Sequence, residues 1–334
     1  MKERDNYFDN AKFVLICLVV FGHFIRSTIE ENDFMMNLYK FIYTFHMPAF
    51  ILISGYFAKG FKKKGYVKKI TKKLIFPYLI FHGIYTVYYT LIKGENFLSS
   101  MDPLNPHWSL WFLISLFFWN IMLFPFSKLN KFAALFISFA IGILAGYFDF
   151  ISNYLSLSRT FVFLPIFLAG FYLNSGHFRS IVKWPMRLTS FIALSLIFVS
   201  YFHLSFDYEW LFGSKPYSAF GDPDFTSALT RLGFYLLTFV TTFGFLSFIP
   251  RKRYFFTKWG ARTFYVYLLH GFIIQTIRES ELENWVMEIE NTLIIAVISV
   301  MITFILSSNP VKAFTQPIIE LRATQLKKLV KIHN

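Results

Sequence analysis

The sequence predicts an all-α polytopic membrane bundle of about ten transmembrane helices, with both termini cytoplasmic. Three observations carry that prediction. Hydrophobic residues make up 55% of the 334 positions and charged residues only 16%, against about 25% charged in soluble domains. Apolar runs long enough to cross a bilayer recur along the whole chain. The basic residues between those runs alternate from one side to the other, as the positive-inside rule requires.

The ten windows are 10–26, 35–58, 74–92, 107–125, 131–148, 160–175, 188–205, 228–249, 262–278 and 291–308. The first is preceded by polar residues and followed by FIRSTIEEND rather than a small-residue cleavage site, so it reads as a retained span. The sixth is the shortest. With the amino terminus inside, the segments 1–12, 59–73, 126–131, 176–187, 250–262 and 309–334 are cytoplasmic. They hold 26 of the 33 Lys and Arg. Of the 19 acidic residues they hold only Glu3, Asp5, Asp9 and Glu320. The longest outer loop, about 206–227, contains Pro216, Asp222, Pro223 and Asp224 and is expected to be irregular. The chain thus reads as one membrane domain over 1–334, ending in a short basic cytoplasmic tail at 309–334.

A net charge of +14 invites a nucleic-acid reading. Here the charge belongs to loops facing anionic lipid, and nucleic acid is not an expected partner. The one cysteine, Cys17, lies in an apolar run and has no second cysteine to pair with.

Ionisable groups at membrane depth are costly and usually face the bundle interior. In the first window Lys12 and His23 are eleven residues apart, within about 20° of one helical face, and Asp9 lies within about 60° of both. The three form a stripe about 20 Å long. It reads either as an interfacial ion pair plus a packed histidine, or as the wall of a polar passage carrying a proton-transfer group. In the second window His46 lies near mid-membrane with Tyr43 one turn away and Pro48 just beyond, where a kink is expected. In the ninth, Thr263, Tyr267 and His270 share a face. His107, Trp108 and Trp111 begin the fourth window and Arg159 the sixth; the tryptophans also suit an interfacial belt. The histidine spacings match no zinc motif, and no phosphate-binding glycine loop or nucleophile elbow is visible.

Taken together, RDNYFDNAKFVLICLVVFGH, FHMPAFILISGYF, HWSLWFLISLFF and WGARTFYVYLLH resemble the acyltransferase-3 family of integral membrane acyltransferases. The chain resembles the shorter all-membrane members, including the fucose-4-O-acetylase-like proteins. The family pattern of an acid, a basic residue three positions on and a histidine eleven beyond falls here on Asp9, Lys12 and His23. The family often has arginine where Lys12 stands. Its paired arginines before a proline correspond to lysines among Lys69, Lys72 and Lys73 in KKITKKLIFPYL.

The resemblance implies transfer of an acyl group, most often acetyl, from cytoplasmic acyl-CoA to a hydroxyl of an envelope carbohydrate or glycolipid at the cell membrane. It implies His23 as general base, assisted by Asp9, and donor contacts from Arg4, Lys12, Lys69, Lys72 and Lys73. His46, Tyr43, Trp108, Arg159, Tyr267 and His270 would line the substrate cavity. Acetyl-CoA or another acyl-CoA would be the donor substrate, with no tightly bound cofactor and no metal. The competing class is a proton-coupled exporter or flippase of an envelope polysaccharide or small metabolite, which inward histidines and a kinked helix would also suit.

Overall fold

The computed structural model describes residues 5–30, 32–288, 292–322 and 324. Among them the regular structure is helical throughout: α1 (Asn6–Phe24), α2 (Asp33–Phe57), α3 (Tyr66–Ile70), α4 (Phe76–Lys93), α5 (Phe97–Ser100), α6 (Trp111–Phe126), α7 (Lys131–Leu144), α8 (Leu157–Tyr172), α9 (Ser175–Ile181), α10 (Trp184–Ser200), α11 (Phe225–Phe248), α12 (Thr263–Arg278), α13 (Leu282–Glu288), α14 (Thr292–Leu306) and α15 (Asn309–Ile319). In lipid a spanning segment must satisfy its own backbone, and a helix does so locally.

Among the described residues, six helical segments are long and apolar enough to cross a membrane: Asn6–Ser27, Asp33–Gly60, Tyr66–Lys93, Trp108–Phe126, Tyr154–Tyr172 and Phe225–Phe248. Two bent pairs raise this to eight if each is one span: α9 with α10, bent by 69°, and α14 with α15, bent by 63°. That differs from the ten expected windows. The two that fall short are helical but brief. Lys131–Tyr147 is one. The other is α12, whose 16 residues rise about 24 Å against a hydrocarbon core of about 30 Å. The sixth window, the shortest, reaches spanning length only with the turn Tyr154–Ser156, in which Leu155 and Ser156 are left-handed, ahead of the 16 residues of α8.

The chain divides into two compact units. One comprises residues 1–39, 76–101 and 250–334; the other comprises 40–75 and 102–249.

In the first unit α1 packs against α12, α14 and the helical turn Thr257–Ala261. Asp5 caps α1 by accepting from the Tyr7 N–H at 3.0 Å. The turn approaches α1 so closely that a Cβ on Gly260 would lie 1.8 Å from the Asp9 carbonyl oxygen; only glycine allows this contact. Asn10, fully buried, ties the same loop down. Its Nδ2 donates to the carbonyls of Pro250 (2.8 Å) and Lys252 (2.9 Å), and its Oδ1 accepts from the Thr257 hydroxyl at 2.6 Å. On α4, Tyr85 stacks on Phe272 of α12 at 4.2 Å.

In the second unit α8 packs against α6 and α7, and α10 against α11. Gly55 of α2 and Gly170 of α8 meet backbone to backbone: a Cβ on either would lie 2.0 Å from a carbonyl oxygen of the other helix, Phe167 or Leu52. Small residues at such crossings let membrane helices associate through close packing. α2 continues through Pro48. Thr71–Ile75 forms a π-helical turn; Pro77 has no N–H to offer the carbonyl of residue 73, which disfavours the regular ladder there. The 206–227 loop is more ordered than its composition suggests. It contains the helical turns Tyr208–Phe212 and Tyr217–Ala219, and Trp210 stacks on Phe220 (4.4 Å) and Phe234 (5.8 Å).

Candidate active site

The features closest to acyl-transfer chemistry lie in the first unit, along α1. The 3.6-residue period puts Asp9, Lys12 and His23 on one stripe of α1, and the packing gives its two ends different neighbours. At the amino-terminal end Lys12 Nζ sits 2.8 Å from Asp9 Oδ1, with the carboxylate side chain buried. The loop held by Asn10 brings Arg251, Lys252, Arg253 and Lys258 into this unit's surface, and the Arg251 guanidinium stands 5.8 Å from the Tyr7 ring centre. This end holds the Asp9–Lys12 pair, and the loop that packs on it carries a set of four further cations. Polyphosphates bind such sets through charge-assisted hydrogen bonds.

At the other end His23 is half-buried, and its ring stacks on that of His270 from α12, with centroids 5.4 Å apart and planes 27° apart. His270 is fully buried, and its Nδ1 lies 3.0 Å from the Val266 carbonyl. A carbonyl oxygen only accepts, so Nδ1 carries the proton, and in neutral His270 Nε2 has the lone pair. Tyr267 lies beside this ring at 6.4 Å. The His23 carbonyl, at the last turn of α1 where helix carbonyls lack intrahelical donors, accepts from Arg278 Nη2 at 2.7 Å. Ser27 donates to Glu283 Oε1 at 2.9 Å. His23, Ser27, Ile274, Arg278, Glu283 and Val286 line a small solvent-open hollow. It joins a basic ring, a guanidinium, a carboxylate and a hydroxyl to an apolar wall, a combination suited to a polyhydroxylated ligand.

About 21 Å of helix separates Asp9 from His23, so the acid's partner is Lys12 and not the histidine. His46, Tyr43, Trp108, Arg159 and the lysines of KKITKKLIFPYL belong to the second unit. His46 is buried, with Nδ1 2.8 Å from the Ile42 carbonyl and Tyr43 edge-on at 4.5 Å. Arg159 lies over the Trp111 ring at 5.0 Å and donates to Asn153 Oδ1 at 3.0 Å. Trp108 opens a helical turn with φ 25°, a left-handed conformation uncommon outside glycine. Lys69, Lys72 and Lys73 are exposed at the end of α3 and in the π-helical turn. Arg4 lies outside the described residues. Asn10, Gly260, Arg278 and Glu283 escaped the sequence reading; nothing local distinguishes an asparagine that holds a loop some 240 residues away.

Comparisons with known proteins bear on the family. The profile of a family described as "Acyltransferase domain" matches residues 5–308. The chain belongs to the acyltransferase-3 family. Nodulation protein NolL of Sinorhizobium fredii is similar to it, 29% identical over 142 residues covering 38% of this chain and 39% of that protein. Nodulation protein NolL of Mesorhizobium japonicum is 29% identical over 141 residues, covering 38% of each. The matched stretch therefore spans under two fifths of each relative's length. No solved structure matches the chain significantly.

Proposed function

We propose that this acyltransferase-3 protein is a membrane O-acyltransferase that moves an acyl group, acetyl in the simplest case, from acyl-CoA to a hydroxyl of an envelope carbohydrate or glycolipid. The observation that carries the proposal is the His23–His270 ring pair, 5.4 Å apart, at one end of a helix whose other end holds the Asp9–Lys12 ion pair. The charge asymmetry of the loops supports a cytoplasmic position for the Lys12 end, the side where CoA is found. Lys12 and the basic 250–262 loop would hold the CoA phosphates. Lysine offers charge there without the bidentate fork of arginine.

In this reading the acceptor sits in the hollow beside His23. The imidazole takes the proton of the attacking hydroxyl as its oxygen adds to the thioester carbonyl carbon. The tetrahedral intermediate collapses by breaking the C–S bond, and the imidazolium returns the proton to the departing CoA thiolate. General base catalysis of this kind contributes about 10²–10⁴ in rate. His270 lies against one face of the His23 ring and restricts its orientation.

The test is purified full-length protein in detergent with acetyl-labelled acetyl-CoA. His23→Ala should lower thioester cleavage and label transfer at least 100-fold while leaving the melting temperature within a few degrees. Undiminished transfer in that variant would overturn the assignment of the base. Acyl-CoA-independent flux of a glycan across proteoliposomes would favour an exporter. Mass spectrometry of envelope glycans with and without the gene identifies the acceptor.

A further inference from the structure

The second unit holds a buried cation that acyl transfer does not use. Arg231, in the second turn of α11, is 3% exposed. Among the described residues it forms no ion pair with a carboxylate. Its Nη1 donates to the Trp210 carbonyl at 3.0 Å. Its guanidinium lies 5.0 Å from the Trp210 ring centre and 5.8 Å from that of Tyr217. Its Nε is buried and has no hydrogen-bond partner among the described residues. A buried guanidinium without a counter-charge is costly, and an unmade hydrogen bond adds to that cost. Ionisable residues kept at such positions in membrane segments usually serve a ligand.

Arg231 lines a small solvent-open hollow whose other walls include Val162, Ile166, Leu211, Phe234 and Thr238. Nothing acidic lines it. The Trp210 ring already stacks on Phe220, Phe234 and Tyr217, so it does not offer a bare platform for a sugar. The Tyr217 side chain is a second hydrogen-bond partner, and what remains is the Nε edge of the guanidinium, set among aliphatic and aromatic walls. That edge matches the two oxygens of a carboxylate or phosphate, and the walls match a hydrocarbon continuing from it. We propose that this hollow binds the anionic group of an amphiphile, a phosphate or carboxylate carried on an apolar chain, with Arg231 as its counter-ion. The proposal does not depend on the acyl-transfer reading, because its test measures binding and not turnover.

The full chain, purified in a neutral detergent, is titrated with decyl phosphate, with decanol and with inorganic phosphate, following the melting temperature. Decyl phosphate should stabilise the protein saturably and decanol should not. Arg231→Gln should weaken decyl phosphate binding at least 10-fold, with part recovered in Arg231→Lys. If the arginine variants fail to fold, Ile166→Trp, which fills the hollow and leaves the guanidinium, should weaken binding equally. Equal affinity in wild type and Ile166→Trp, or decanol as effective as decyl phosphate, would overturn the proposal. Inorganic phosphate binding as tightly as decyl phosphate would also overturn it, marking a site for the free ion.

Discussion

Replacing Asn10 tests how the basic 250–262 loop is held against α1. The side chain makes three hydrogen bonds to that loop: 2.8 and 2.9 Å to the Pro250 and Lys252 carbonyls and 2.6 Å from the Thr257 hydroxyl. At about 1 kcal/mol net per buried hydrogen bond, Asn10→Ala should cost about 3 kcal/mol. Asn10→Asp is the sharper variant. It keeps an acceptor for Thr257 but puts a carboxylate oxygen where Nδ2 stood, against two carbonyl oxygens that can only accept. It should therefore be less stable than the alanine variant although it is nearly isosteric. The assay is thermal unfolding in detergent, where roughly 1 kcal/mol corresponds to 2–4 °C in chains of 150–250 residues; a fall of roughly 6–12 °C is expected for Asn10→Ala. Because the loop carries Arg251, Lys252 and Arg253, both variants should also raise the donor KM more than they lower kcat. An Asn10→Asp protein that melts with wild type and has an unchanged donor KM would refute the reasoning.

Gly260→Ala should act in the same direction. Its Cβ would start 1.8 Å from the Asp9 carbonyl oxygen, and relief to about 3.0 Å needs a backbone shift of about 1.2 Å, at an overpacking cost of about 1–3 kcal/mol; a melting curve identical to wild type would contradict it. Lys12→Ala removes the partner of a buried carboxylate, so it should both destabilise the protein and raise the donor KM roughly 10-fold or more, the size of a lost charged hydrogen bond. The double variant Asp9→Asn/Lys12→Met should recover the stability but not the donor affinity, as read by melting and by isotope kinetics. Asp224, outside the spans, caps α11 (3.1 Å from the Ser227 N–H) and accepts from the Thr226 hydroxyl at 2.7 Å. The Thr226 hydrogen bond, foremost, holds its pKa below the ordinary value of 3.8. A depressed carboxylate stabilises the fold above its unfolded pKa and loses that contribution as pH falls through the folded value. Wild type should therefore lose its melting-temperature advantage over Asp224→Ser below about pH 4; a pH-independent difference would rule this out.

Much of the architecture was legible in residue order because lipid leaves the backbone few choices. A long apolar run must become a helix, and six of the ten windows match helices of spanning length. The i,i+3 spacing of Asp9 and Lys12 allowed an ion pair, which the structure forms, and the four quoted segments were enough to indicate the family. Length misled where apolar composition hid a bend or an early end: α9 and α10 turn by 69° at a short break, α14 and α15 by 63°, and α12 stops after 16 residues.

Residue order thus determined a helical membrane protein of the acyltransferase-3 family, because period, length and charge asymmetry are local properties of the chain. Which polar groups meet was decided only in three dimensions. His23 and His270 are 247 positions apart, Asn10 reaches Pro250 and Lys252, and Arg231 meets the Trp210 carbonyl through the fold of a loop. Such contacts arise from helix packing, where a glycine permits an approach that any Cβ would block, and no period in the sequence encodes them.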